Sequence, residues 1–398
     1  MKKAIVVAVL VHASITGISG ATEKKAVTLP GANPNLPFSS AVWTGDFLHT
    51  SGSLGGVPGE GYSPNIKEQT RQTFINLTRV LEAAGSDLSR VVSVSVYLTD
   101  DRHYEAMNEV FRETFPDQAN APTRATVRTD LAAPNGRIEI SMVAVREGVE
   151  LRHITPEGWR PTRQGFAYGI LAGDTLFVSG LVSSDPKRGA FVSGDIGVQA
   201  KQTFKNLGAV LEAAGMSYAD VVSNKIYLRD GRDFSGMNET YRSVFPEPRP
   251  ARATVRAGIM APDARFEMQS VAVKDASRKI AGNAQAGATI SPSVVAGGRQ
   301  FLAGMTGRGP DGYTPGDVKA QTRQCIARLK ATLEAAGLTL DDVVESTVYL
   351  TDIRHFSDMN EVYRELVPKP RPSRTTIGTV LMSPDALVEI LFLADASK

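Results

Sequence analysis

The sequence predicts an α+β protein built from three tandem copies of one β-β-α-β-α-β-β unit, folded into a pseudotrimer within one chain. Three internal matches predict it, and repeats are the first thing to seek in a chain of 398 residues. Gln69-Thr70-Arg71-Gln72-Thr73-Phe74 recurs as Gln199-Ala200-Lys201-Gln202-Thr203-Phe204 and as Gln321-Thr322-Arg323-Gln324-Cys325-Ile326. Leu81-Glu82-Ala83-Ala84-Gly85 recurs at 211–215 and 333–337, and Met107-Asn108-Glu109 at 237–239 and 359–361. The copies span residues 24–148, 149–275 and 277–398. No long Pro- or Ser-rich linker separates them, so they are expected to pack on one another.

Each element follows from local pattern. A strand pair flanks Gly45-Asp46. Phe74, Leu77, Leu81 and Ala84 recur at helical spacing, and Gly85 stops that helix. Val92, Val94, Val96 and Leu98 alternate with Val91, Ser93, Ser95 and Tyr97, the period of a half-buried strand. Asp100-Asp101 signals the start of a second helix burying Tyr104, Met107 and Phe111. Two strands come last, Arg124 to Leu131 and Arg137 to Val145, around the turn Ala133-Pro134-Asn135-Gly136. Helices cover one sheet face, and the sister repeats are the expected cover for the other.

Composition sets outer bounds. Hydrophobic residues make up 42% and charged residues 22%, as in an ordinary globular protein. The net charge of +2 includes Lys2 and Lys3, and without the first 21 residues the chain is formally neutral. A neutral body gives no bulk support for nucleic-acid or anionic-membrane binding. One cysteine, Cys325, excludes an intrachain disulfide and a multi-cysteine metal site, and its helical setting makes it a core thiol. The five histidines are scattered without metal-ligand spacing, so no metal is expected. Met1-Lys2-Lys3, the apolar run Ala4 to Leu10 and Ser19-Gly20-Ala21 read as a cleaved secretory signal over residues 1–21, with a first strand as the alternative. A signal implies a periplasmic or secreted protein, with no membrane span in the mature form; without one, the protein is cytoplasmic.

The clearest chemical pattern is an arginine and a glutamate fifteen residues apart in every copy: Arg124 and Glu139, Arg252 and Glu267, Arg374 and Glu389. Each arginine opens a strand, and each glutamate sits in an apolar one, where a carboxylate is costly unless paired. Arginine's planar fork suits a carboxylate ligand. An ion pair between domains explains the pattern equally well. In a simple hairpin of the last two strands, Glu139 would lie opposite about Asp130, roughly 20 Å from Arg124. The two would then meet only through strong curvature or across a repeat boundary. Gly52 to Gly61 lacks the Gly-Lys-Ser/Thr of a phosphate loop and reads as a turn. Asn108, Asn238 and Asn360 on the second helix suit a polar cap, a solvent contact or a ligand contact. There is no Gly-x-Ser-x-Gly elbow, so acyl transfer has no support.

With these residues in view, the chain resembles the YjgF/RidA family of reactive intermediate/imine deaminases. The Glu-Ala-Ala-Gly helix end, the helix asparagine and the arginine-to-glutamate block with Pro134, Pro262 and Pro384 carry the resemblance through all three repeats. It implies a chorismate-mutase-like fold, here a monomeric pseudotrimer with three clefts for small carboxylates and no cofactor. It also implies that Arg124, Arg252 and Arg374 hold the substrate carboxylate, and that Glu139, Glu267 and Glu389 order or activate water. Asn108, Asn238 and Asn360 match the family asparagine. The aromatic residue given across the interface, usually tyrosine, falls on Phe38 and Phe166 but on Ile290 in the third copy. Thr126, Thr254 and Thr376 stand where the family often has cysteine, and Ala303 replaces the serine kept as Ser51 and Ser179. The cleft using Ile290 is therefore expected to be the weakest.

The expected activity is hydrolysis of 2-imino acids or enamines to 2-oxo acids and ammonia. The rivals are a non-catalytic small-carboxylate-binding or protein-protective module, an endoribonuclease, and an enzyme redirected to a larger cyclic or aromatic acid. The neutral body and the lack of a histidine general-base set oppose the ribonuclease.

Overall fold

A computed structural model describes residues 24–117, 120–162 and 164–397. The expected signal, residues 1–21, lies outside the described residues. Among the described residues no helix is long and apolar enough to cross a membrane.

Each repeat forms one sheet backed by two helices. In the first repeat the strands lie in the order Lys25–Val27, Ala41–Thr44, Phe47–Thr50, Ile138–Val145, Val91–Leu98, Thr123–Arg128. Helices Ile66–Ala83 and Tyr104–Thr114 pack Phe74, Leu77, Leu81, Met107 and Phe111 against Val94, Val96, Leu98, Ile138 and Ile140. Asn65 caps the first helix by accepting the Lys67 N–H. Gly85, at φ 74°, ends it, and the Ser86 N–H returns to Leu81 O. The other two repeats reuse this grammar, with caps Asp195 and Asp317.

The recurring glutamine that announces each copy has a mechanical role. Gln69 Nε2 donates to Asn135 O, and its Oε1 accepts the Arg137 N–H at 2.8 Å. Gln199 clamps Asp263 and Arg265 in the same way, and Gln321 clamps Asp385 and Leu387. Each clamp pins the first helix to the turn that launches the glutamate-bearing strand.

Two sequence expectations change here. The last two strands are not hairpin neighbours. Val91–Leu98 lies between them, parallel to Thr123–Arg128 and antiparallel to Ile138–Val145. The helix Tyr104–Thr114 supplies the crossover that a parallel pair requires. Nor does Val92 share a face with Val94. The register slips between Val143 and Ala144, so the bulge at Val92 turns that side chain to the opposite face, against Phe47, Ile170 and Phe177. Val222 and Val344 sit at the same slip in their copies.

The opposite faces meet around a pseudo-threefold axis, and each repeat's sheet edge is covered by the repeat that follows it, the third by the first. Gly258–Ile259 pairs with Arg128 and Val127, Val380–Leu381 with Arg256 and Val255, and Asp130–Leu131 with Gly378 and Ile377. On the axis Tyr97, Tyr227 and Tyr349 are fully buried side by side. Beside them lies a cavity of about 110 Å³ lined by all three repeats. Here the copies have diverged. His49 Nδ1 lies 2.6 Å from Glu345 Oε2, and Lys225 Nζ lies 3.6 Å from Glu345 Oε1, so each repeat gives one member of a polar triad.

Burial alone would raise the Glu345 carboxyl; Lys225 and His49 overcome it and hold the group at about 2, against an ordinary 4.5. A depressed carboxyl stabilises the fold fully above its unfolded value, and that share is lost as pH falls through about 2. Glu345→Gln is therefore expected to show a smaller drop in urea midpoint between about pH 5 and pH 2.5 than the parent protein. Parallel drops would remove the triad from the acid sensitivity.

Candidate active site

Arginine and glutamate meet across repeat boundaries, never within a repeat. Arg124 faces Glu267, Arg252 faces Glu389 and Arg374 faces Glu139, each close enough to feel the other's charge. The edge exchange explains the pairing. Gly258–Ile259 lies along Thr123–Arg128, so the strand Phe266–Val273 that follows brings Glu267 to Arg124. Yet among the described residues no ion pair within 4.0 Å joins either side chain to the other. The expected alternative of a direct interdomain ion pair is not what forms.

The arginines are nearly completely buried, and each keeps guanidinium nitrogens with no hydrogen-bond partner: Arg124 Nη2, Arg252 Nη1, Arg374 Nε and Nη1. Burial lowers all three, Arg374 to about 10. A buried guanidinium with free donors loses desolvation energy that an anion would restore. The glutamates carry the opposite perturbation. Burial pushes the Glu139, Glu267 and Glu389 carboxyls up to about 8, with the facing arginines pulling each part of the way back. All three are therefore largely protonated at neutral pH, poised where a proton can be given or taken.

The remaining predicted residues gather on the same pairs. Asn238 Oδ1 accepts from Arg252 Nη2 at 2.7 Å, and Asn360 Oδ1 accepts from Arg374 Nη2 at 2.6 Å. Asn108 is buried beside Arg124, with both amide atoms unpartnered. The asparagines are thus neither solvent contacts nor helix caps. Thr126, Thr254 and Thr376 are buried two residues after the arginines, each with an unpartnered hydroxyl. The Thr126 N–H also approaches Glu267 Oε1 at 3.4 Å. Phe166 lies 4.9 Å from the Arg124 guanidinium carbon and Phe38 5.3 Å from that of Arg374, both across a boundary. The segment after each aromatic is tied down identically: the N–H groups of Ser39, Ala167 and Ser291 donate to Pro372, Pro122 and Pro250 carbonyls. That bond places Ile290 at the Arg252 pair, whose guanidinium, among the described residues, has ring neighbours only from its own repeat. Ser51 and Ser179 hydroxyls accept the Arg374 and Arg124 N–H groups at 2.8 Å, a bond that Ala303 cannot make for Arg252.

Three sets of residues escaped the sequence reading. Rings from the second helix bracket every arginine: Tyr104 and Phe111, Phe234 and Tyr241, Phe356 and Tyr363. They stand four before and three after each asparagine, on its helical face, and that spacing was the available signal. Gly52, Gly180 and Gly304 are the second set. A Cβ there would lie 1.8, 1.9 and 1.9 Å from the facing Glu139, Glu267 and Glu389 oxygens. Gly52 is thus a close approach rather than only part of a turn. The third is the axial triad. Cys325, as expected, is a core thiol, donating to Met305 O and pushed up by burial.

Three tandem α+β repeats, with a buried arginine of one repeat facing a buried carboxyl of the next at each junction, define the class of protein. The chain belongs to the YjgF/RidA family: its family model, described as Endoribonuclease L-PSP, matches residues 31–146, 159–274 and 282–396. Its relatives match over the length of one repeat. A RutC family protein of Pyrococcus horikoshii is 41% identical over 110 residues, 28% of this chain and 87% of that protein. The 2-iminobutanoate/2-iminopropanoate deaminase of Homo sapiens is 35% identical over 27% of this chain and 80% of its own. The 3-aminoacrylate deaminase RutC of Acinetobacter baylyi is 36% identical over 30% and 94%. Among solved structures a chorismatase superposes on 77% of this chain and 93% of its own with a TM-score of 0.54 at 15% identity, a likeness of fold.

Gly180→Ala is expected to displace the Glu267 carboxyl while leaving the fold intact, because the clash falls on the end of a side chain. A melting temperature within a few degrees (~5 °C) of the parent, with loss of function at that junction, is the expected outcome. Unchanged function would mean that the glutamate's position is unimportant.

Proposed function

We propose that the chain hydrolyses 2-imino acids, or their enamine tautomers, to 2-oxo acids and ammonia at the three junctions. The observation that carries this is the buried arginine with free donors facing, without touching, a carboxyl near pKa 8. The names of the relatives, an iminobutanoate/iminopropanoate deaminase and an aminoacrylate deaminase, support the same chemistry.

The substrate carboxylate takes the free guanidinium donors, which fixes the C=N carbon over the glutamate. The protonated glutamate gives its proton to the imine nitrogen, leaving a carboxylate. That carboxylate accepts a proton from the attacking water as the new C–O bond forms. The proton then passes to the amine nitrogen of the carbinolamine, the C–N bond breaks and ammonia leaves, and the carboxylate takes the hydroxyl proton as the carbonyl forms, which restores the acid form of the glutamate. No cofactor enters. Such imines hydrolyse unaided in water, so modest acceleration suffices.

Two measurements test this. Changing Arg124, Arg252 and Arg374 together to alanine removes charge-assisted bonds that contribute about 1.5–3 kcal/mol, so KM for freshly generated imine is expected to rise about 10- to 100-fold. Unchanged 2-oxo acid release would end the proposal. A plot of kcat/KM against pH is expected to fall above about 8, as the acid form of the glutamates is lost. The three glutamate-to-glutamine changes should remove turnover while leaving carboxylate binding. Arginine-dependent binding with no turnover in the parent protein would instead define a carboxylate-binding module.

A further inference from the structure

The three junctions differ at the first residue of the second helix. Tyr104, Phe234 and Phe356 stand four residues before Asn108, Asn238 and Asn360. Their ring centroids lie 5.9, 5.9 and 5.7 Å from the facing guanidinium carbons, so the rings are equivalent in place. Only Tyr104 carries a hydroxyl at this position; the hydroxyls of the other bracketing rings turn to the sheet, where Tyr241 accepts from Asn224 Nδ2 and Tyr363 lies beside Ser346. The cross-boundary positions, Phe166, Ile290 and Phe38, carry none.

The polar wiring differs in step with that hydroxyl. At Arg252 and Arg374 the asparagine carbonyl is already bound to the guanidinium. At Arg124 that bond is missing, and Arg124 Nη2, Asn108 Nδ2 and Asn108 Oδ1 are all buried without partners. Burial raises the Tyr104 phenol while its neighbours Arg124 and Asn108 pull it down and Glu267 pushes it up, so the hydroxyl keeps its proton at neutral pH and can donate. The Tyr104 hydroxyl thus lies against both Arg124 and Asn108, while Arg124 Nη2 and Asn108 Nδ2 keep donors that no protein acceptor satisfies. A carboxylate offers about four lone-pair positions for such donors.

We propose that Tyr104 is a carboxylate-binding residue that, with Arg124 Nη2 and Asn108 Nδ2, makes the junction facing Glu267 the tightest of the three for a 2-oxo or 2-imino acid. The idea rests on the carboxylate-binding part of the function above and is independent of turnover. The junction at Arg252, with Ile290 and Ala303, is then the loosest, and the junction at Arg374 is intermediate.

The test is calorimetric titration of the full chain with 2-oxobutanoate, alongside imine turnover. The parent protein is expected to show one site about tenfold tighter than the others. Tyr104→Phe, which installs the residue that the sister repeats carry, should remove that tight class and leave the melting temperature and the weaker sites unchanged. Phe356→Tyr should strengthen the Arg374 site in the same assay, which a merely structural role for the ring would not produce. Three equal sites in the parent, or a Tyr104→Phe isotherm identical to the parent's, would overturn the proposal. Tight, Tyr104-dependent binding without imine turnover would keep it and reject the deaminase activity instead.

Discussion

The structure depends on the handover of sheet edges. Each repeat ends its sheet at the arginine-bearing strand, and an open edge there would expose a row of unpaired backbone groups. A two-residue strand from the next repeat caps it, as Ile259 does opposite Val127 and Leu381 opposite Val255. The third cap, Leu131 opposite Ile377, closes the ring back to the first repeat. Because the cap and the glutamate strand are consecutive in sequence, edge protection and site assembly are one event. A repeat standing alone would have neither a covered edge nor a complete site.

Much of the repeat was legible in the sequence because the signals are local. The Gly85 helix stop, the helical spacing of Phe74, Leu77, Leu81 and Ala84 and the turn at 133–136 are set by neighbours a few residues apart. The partner of Arg124 was not legible for the converse reason. Periodicity identifies strands, but which strands lie side by side depends on the crossover, and here Val91–Leu98 inserts between the two that sequence order would pair. The bulge at Val92 is hidden similarly, since an unbroken alternation of valines and serines carries no mark of the residue where the register slips. The candidate residues themselves were visible through their threefold recurrence. The bracketing rings were masked by their ordinary role as helix core.

The junctions also carry a cost in stability. Orphaned donors on Arg124, Arg252 and Arg374 and orphaned threonine hydroxyls each cost about 1–3 kcal/mol where they are fully buried. Three carboxyls held near 8 add to that strain. The apolar clusters around Tyr97, Tyr227 and Tyr349, and behind each sheet, offset it. A structure selected for stability alone would let each arginine touch its glutamate. The gap between them is the space that the proposed function assigns to substrate.

The axial triad has a consequence for how the chain is put together. His49, Lys225 and Glu345 come from different repeats, and each position is occupied differently in the sister copies. Three copies of the second repeat would gather three lysines at the axis, and three of the third would gather three glutamates, with mutual repulsion in a confined space. One repeat of each kind around the axis avoids that repulsion. Fusion has set three unlike repeats, one of each, around one axis within a single chain.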